Sequence, residues 1–131
     1  MTISTGPFEV KVFPDPPISE KDGVTIGRFR CEKRFSGALV GTSEVFMTGV
    51  GTPDPKLRAY VAIERIEGTL DGKQGSFVVT QTGSMNHEGM SLAIPIVAGS
   101  GTGELLGITG KMSIRIEASG AHFYEIDYTI A

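Results

Sequence analysis

Apolar and polar residues alternate in short runs along this chain, and the runs are rich in Val, Ile, Thr, Phe and Tyr. A side-chain period of two is the mark of a strand with one buried face, and apolar residues at helical spacing are hard to find here. Eighteen glycines and seven prolines separate the runs, as expected of an all-β domain with frequent turns. The pattern predicts strands over residues 6–13, 24–35, 37–47, 58–67, 75–82, 91–98, 111–117 and 122–130. Pro14, Pro16 and Pro17 lack amide donors and make the first connection a loop. Asp22-Gly23 and Asp71-Gly72 read as turns, and residues 49–56 as an exposed loop. Residues 83–90, mostly polar, read as a further loop, and Pro95 predicts a bulge or an edge in the sixth strand. Eight antiparallel strands suit a closed β-barrel whose interior is just wide enough for side chains or one small ligand.

Turn chemistry sets the register, and the register decides which side chains share a face. A two-residue loop at Asp71-Gly72 pairs Leu70 with Lys73, Ala62 with Gln81, Glu64 with Val79 and Ile66 with Phe77. Tyr60, Ala62, Glu64, Ile66, Phe77, Val79 and Gln81 then form one face, placed inside because it carries the aromatics. Val61, Ile63, Arg65, Val78, Thr80 and Thr82 form the other. Glu64 and Gln81 become diagonal neighbours in the barrel, close enough to share a ligand or a water. For the last hairpin, a three-residue loop with a left-handed Gly120 aligns Met112, Ile114 and Ile116 with His122, Tyr124, Ile126 and Tyr128. A two-residue loop would instead mix Arg115 and Glu117 with the aromatics, so the longer loop is preferred.

At 131 residues the chain fits one domain, and 40% apolar with 21% charged residues is the balance of an ordinary globular protein. The formal charge is −3, and the one basic cluster, Arg28, Arg30, Lys33 and Arg34, splits between two faces of a strand. That makes a poor track for phosphates, and no nucleic-acid partner is expected. No apolar run approaches the roughly 20 residues that span a bilayer as a helix, so no membrane partner is expected either. Cys31 is the only cysteine and the chain does not open with a basic stretch and an apolar core, so the cytoplasm is the default compartment.

The segments Tyr60-Val-Ala-Ile-Glu-Arg-Ile-Glu-Gly-Thr-Leu-Asp-Gly72, Gly75-Ser-Phe-Val-Val79, Gly99-Ser-Gly-Thr-Gly-Glu-Leu-Leu-Gly-Ile-Thr-Gly110 and His122-Phe-Tyr-Glu-Ile-Asp-Tyr128 together resemble a bacterial domain-of-unknown-function family with an allene-oxide-cyclase-like barrel. The match runs from about Phe8 onward. It implies an eight-stranded antiparallel barrel and a homo-oligomer, and it implies no established reaction. Family members often carry histidine where this chain has Gln81, so histidine chemistry is not expected at that place. Allene oxide cyclase is a distant fold relative, and fold does not carry function with it.

The glycine-rich run from Gly99 to Gly107 has neither the spacing of a dinucleotide fingerprint nor the Lys-Ser/Thr ending of a phosphate loop, and Glu104 would repel phosphate. A tight connection with one helical turn, capped by Ser100 or Thr102, accounts for it better. Glu64 is the sharpest candidate for chemistry, since a carboxylate on an apolar face can serve as an acid or base. A satisfied core carboxylate is the commoner reading, with Tyr60, Gln81, Tyr124 and Tyr128 as partners. His87 and His122 stand on different segments without metal-ligand spacing, and no metal or other cofactor is expected. No Gly-x-Ser-x-Gly occurs. Cys31 among basic residues reads as a reactive thiol or as an inert small hydrophobe, the latter being commoner. Met85, His87 and Met90 read as gap-fillers or as a lid over the barrel mouth.

These readings lead to a protein without a recognised catalytic motif that binds a small, largely apolar ligand inside the barrel, with Tyr60, Glu64, Gln81 and Tyr124 as candidate ligand-binding residues. One alternative is an isomerase or cyclase for a lipid-like substrate, in which Glu64 stabilises developing positive charge. The other is a filled barrel that serves assembly through outward Val61, Ile63, Val78 and Phe123.

Overall fold

The computed structural model describes all residues, Met1–Ala131. Its strands are β1 (Thr2–Pro14), β2 (Ser19–Lys21), β3 (Val24–Phe35), β4 (Leu39–Gly51), β5 (Arg58–Leu70), β6 (Lys73–Asn86), β7 (Gly89–Pro95), β8 (Ile108–Ile116) and β9 (His122–Ile130), with one short 3-10 turn at Gly103–Leu105. Every pairing is antiparallel. The order β1-β9-β8-β7-β6-β5-β4-β3 closes on itself through β1–β3, making an eight-stranded barrel with β2 as an extra strip on β3. β1 performs the closure. It pairs with β9 from Thr2 to Phe8 and with β3 from Phe8 to Pro14, which is why it starts earlier than its alternation suggested. The only helix is too short to cross a membrane.

Both Asp-Gly turns have the expected chemistry. Asp22 and Asp71 have φ of 54° and 49°, and Gly23 and Gly72 follow at 80° and 82°, the double positive φ of a tight hairpin turn that matches strand twist. Leu70 accordingly pairs with Lys73, Ala62 with Gln81, Glu64 with Val79 and Ile66 with Phe77. The last hairpin uses the three-residue loop, with Gly120 at φ 90° and His122, Tyr124 and Ile126 opposite Ile116, Ile114 and Met112.

Four local expectations need correction. Residues 83–90 are not a loop: β6 runs on to Asn86 and turns tightly into β7, with Met85 paired to Met90. Gly83 and Met85 point inward while Ser84 and Asn86 are exposed, so the period of two is present but lacks the β-branched residues that advertise a strand. Neither Ser100 nor Thr102, which stands at the N-cap, caps the 3-10 turn with its side chain. Their hydroxyls accept the backbone N–H groups of Val78 at 2.9 Å and Ser76 at 3.0 Å, so the glycine-rich run takes over the edge of β6 where β7 ends. Gly37, expected to open a strand, lies in the turn between β3 and β4 with φ 86°. Pro95 makes neither a bulge nor an edge: it pairs with Lys111 of β8 at the end of β7, and pairing with β6 lapses after Ala93 and resumes in the same register at the bridge between Val79 and Ile96.

The barrel is filled at one end. Phe8, Phe35, Leu39, Ile66, Leu70, Phe77, Val79, Leu105, Ile108, Tyr124 and Ile126 belong to one continuous core there. Burying a side chain of this kind contributes roughly 1.5–3 kcal/mol. The Tyr124 ring meets Phe35 edge-on, and its hydroxyl donates to the Ser36 carbonyl and accepts the Leu39 N–H at 2.8 Å, which ties β9 to the β3–β4 turn. Asp71 is held similarly, its carboxylate accepting from Ser4 Oγ and from the Tyr128 hydroxyl.

Burial, then the hydrogen bond to Asp71, pushes the Tyr128 phenol up to about 12. Burial also raises Tyr60 and Tyr124, so all three tyrosines of the chain shift the same way. A phenol that ionises later in the folded state than in the unfolded state stabilises the fold below the unfolded value of about 10, and the contribution is lost as pH rises through the folded value. Urea denaturation at stepped pH should therefore show stability falling between about 10 and 12, and Tyr128→Phe should flatten that fall. An unchanged slope in the variant would remove Tyr128 from the explanation.

Candidate ligand-binding site

The other end of the barrel is open. Inward positions near the starts of β3 and β5 and the ends of β4 and β6, joined by the start of β7, surround a cavity of about 440 Å³. Its wall includes Phe29, Met47, Val50, Ala59, Tyr60, Met85 and Met90, and Arg58 is the only charged residue that lines it. Four inward positions are glycine. A side chain begun at Gly51 would meet nothing within 4 Å, and one at Gly27 or Gly49 would come no closer than 3.6 and 3.4 Å to its surroundings. Gly83 differs, because a Cβ there would strike the Tyr60 ring at 2.4 Å. Gly83 thus seats Tyr60, whereas Gly27, Gly49 and Gly51 leave space.

Between the filled end and the open end lies a belt of polar side chains, one from each of four consecutive strands. Lys33 of β3 donates from Nζ to Glu64 Oε1 at 3.1 Å, Ser43 of β4 donates to Glu64 Oε2 at 2.6 Å, and Gln81 of β6 donates from Nε2 to Glu64 Oε1 at 2.6 Å. The Tyr60 hydroxyl donates to Gln81 Oε1 at 2.9 Å. Glu64 is wholly buried, and Lys33, Ser43 and Gln81 nearly so. Lys33 Nζ also lies 4.9 Å from the centre of the Phe8 ring. No buried side-chain nitrogen or oxygen in the protein is left without a partner, so this belt meets the condition under which buried charge is tolerated.

Of the four candidate residues, Tyr60, Glu64 and Gln81 are brought together as a chain running inward from the cavity, and Tyr60 alone of them lines it. Tyr124 is elsewhere, in the filled end, with its hydroxyl bound to backbone. Tyr128 likewise serves Asp71 rather than Glu64. Met85 and Met90 form part of the cavity wall from paired strands, not from a mobile lid. Cys31 packs under the cavity with Val45, Ala62, Met47 and Tyr60, and burial pushes its thiol up against the opposing effect of Lys33, so it is a small core residue rather than an activated nucleophile. His87 pairs with Asp54 at 2.9 Å at the surface, and the His122 ring lies tilted against Phe8 with centroids 5.2 Å apart. Sequence reasoning missed Lys33, Ser43 and the glycines of the open end. Alternation along β3 places Lys33 among Phe29, Cys31 and Phe35, and that lone inward cation opposite an inward carboxylate was the available signal.

The match to known proteins covers the site and the rest of the barrel together. A family model described as "Protein of unknown function (DUF3224)" matches residues 4–128. The chain belongs to the DUF3224 family. A crystal structure of a DUF3224-family protein of unknown function from Shewanella oneidensis MR-1 is 39% identical in sequence and superposes with a TM-score of 0.93, over 100% of this chain and 98% of that one. No curated protein matches. The family thus supports the barrel and carries no assigned reaction with it.

Removing one member of the buried ion pair strands the other. Lys33→Met or Glu64→Leu alone should cost about 3–5 kcal/mol, and the double variant should cost much less than the sum. Urea denaturation of the four proteins gives the comparison, and additive losses would show that the two groups do not depend on each other.

Proposed function

We propose that this DUF3224 protein binds a small, largely apolar ligand in the open end of the barrel, with the ligand resting against Tyr60. The observation that carries this reading is the set of inward glycines around the cavity. Glycine within a strand lowers its stability by roughly 0.5–1 kcal/mol relative to alanine and is found where another group approaches the backbone closely. A Cβ would be accommodated at Gly27, Gly49 and Gly51, and side chains there would take up space in the cavity. Instead the space stays open, in a barrel whose other half is tightly filled. A volume of about 440 Å³ is within the range of small-molecule sites, and an apolar lining with few polar groups is their usual composition.

The isomerase or cyclase reading receives less support. Both oxygens of Glu64 are engaged by Lys33, Ser43 and Gln81, and Glu64 does not line the cavity. A carboxylate so committed is poorly placed to meet developing charge on a substrate. Self-association is compatible with ligand binding and draws on a different surface. Phe46 and Ile63 are paired across β4 and β5 and, with Val61, are all more than half exposed on the outer wall. We propose this patch as the contact between copies, as expected of an apolar surface that water does not favour. Sedimentation analysis should show an oligomer that Phe46→Glu dissociates; a monomeric wild-type protein would contradict the assembly reading and leave ligand binding standing.

Menthol, a compact apolar alcohol, is a suitable probe for the cavity. Calorimetric titration should show one site per chain, lost in Gly49→Leu and in Gly27→Val while both variants remain folded by circular dichroism. Undiminished menthol binding by both folded variants would place the ligand outside the open end.

A further inference from the structure

The hydrogen-bond direction along the polar belt determines what the ligand must offer. Glu64 lies 3.1 Å from Lys33 Nζ and accepts from Lys33 and Ser43, and a carboxylate paired with an ammonium offers only acceptors. Gln81 must therefore turn its amide nitrogen toward Glu64, because the opposite orientation would set the amide oxygen against a carboxylate oxygen at 2.6 Å. That choice leaves Gln81 Oε1 facing Tyr60, and Tyr60 must give it the phenolic proton. Burial and the Glu64 charge raise the Tyr60 phenol, so the proton stays on the ring oxygen at neutral pH. With its one proton committed inward, Tyr60 has only oxygen lone pairs to offer the cavity.

We infer that the site selects ligands carrying a neutral hydrogen-bond donor, a hydroxyl or an N–H, and discriminates against ligands of the same shape that carry only an acceptor. The inference rests on the reading of the open end as a binding site. A ketone against Tyr60 would either face an oxygen with an oxygen or draw the phenolic proton away from Gln81, leaving a buried amide oxygen unpaired. A hydroxyl donates to Tyr60 and leaves the whole chain from Lys33 outward undisturbed. An ammonium donor is disfavoured by Arg58, which lines the same cavity, has Met85 Sδ at 4.0 Å and forms no ion pair. The selected class is therefore apolar alcohols, phenols and neutral N–H compounds.

Menthol and menthone share one carbon skeleton and differ at one carbon, which carries a hydroxyl that can donate in menthol and an acceptor-only carbonyl in menthone. Calorimetric titration of the wild-type protein should give menthol an affinity about ten-fold higher, the consequence of one neutral hydrogen bond exchanged for two opposed acceptors. Tyr60→Phe should abolish the difference, chiefly by weakening menthol. Gln81→Leu, which releases the phenolic proton toward the cavity, should strengthen menthone relative to menthol. Equal affinities in the wild-type protein, or tighter menthone, would overturn donor selection while leaving the site in place. Binding of neither compound would overturn the site and the selection together. Because the wild-type comparison needs no substitution, it decides the matter even if Gln81→Leu fails to fold.

Discussion

The ion pair between Lys33 and Glu64 is the constraint around which the barrel is arranged. An eight-stranded barrel has little interior to spare, and an ionised carboxylate in it requires both an opposite charge and enough donors for its oxygens. Those donors come from β3, β4 and β6, on either side of the strand that carries Glu64. A slip of one residue between any two of these strands would turn a member of the belt to the outside. The pair thus ties the register of four adjacent strands to a single point, which apolar contacts alone specify less sharply.

The belt also divides the interior by chemistry. On one side, Phe35, Phe77, Leu39, Ile66 and Tyr124 interlock with the turn from Ser36 to Ala38 and with the glycine-rich run that covers β6. On the other, beyond the small Cys31, Val45 and Ala62, the inward Gly27, Gly49 and Gly51 alternate with larger residues such as Phe29 and Met47 and leave space between them. The filled half holds the strands together, and the open half is free to present a cavity because it carries little of the packing. Tyr60 connects the two halves: it lines the cavity, and its hydroxyl donates to Gln81 of the belt.

Much of this arrangement was legible in the chain. Asp71-Gly72 specified a turn so closely that the pairing of Glu64 with Val79 and of Ala62 with Gln81 followed by counting, and Gly120 did the same for the last hairpin. The barrel class and the inward placement of Tyr60, Glu64 and Gln81 came with it. Legibility failed where the period of two was carried by residues without strand character, as in Gly83-Ser84-Met85-Asn86, and where a strand was held by a distant partner, as at the start of β1. Tyr124 shares the inward face but lies at the other end of the barrel, a distinction that alternation within one hairpin does not contain. Gly49 and Gly51 read as loop residues and Gly27 as an ordinary strand position, because sequence shows that glycine lacks a side chain but not whether a neighbour fills the gap.

The claim on which the account rests is that the open end is a real cavity with an acceptor at its floor. A crystal structure of the protein grown with saturating menthol tests it most directly. Ligand density is expected between Phe29, Met47 and Met85, with the hydroxyl within about 3 Å of the Tyr60 oxygen and the Lys33–Glu64–Gln81 chain unmoved. An open end collapsed onto Tyr60 without ligand, or menthol bound with its hydroxyl turned away from Tyr60, would contradict it.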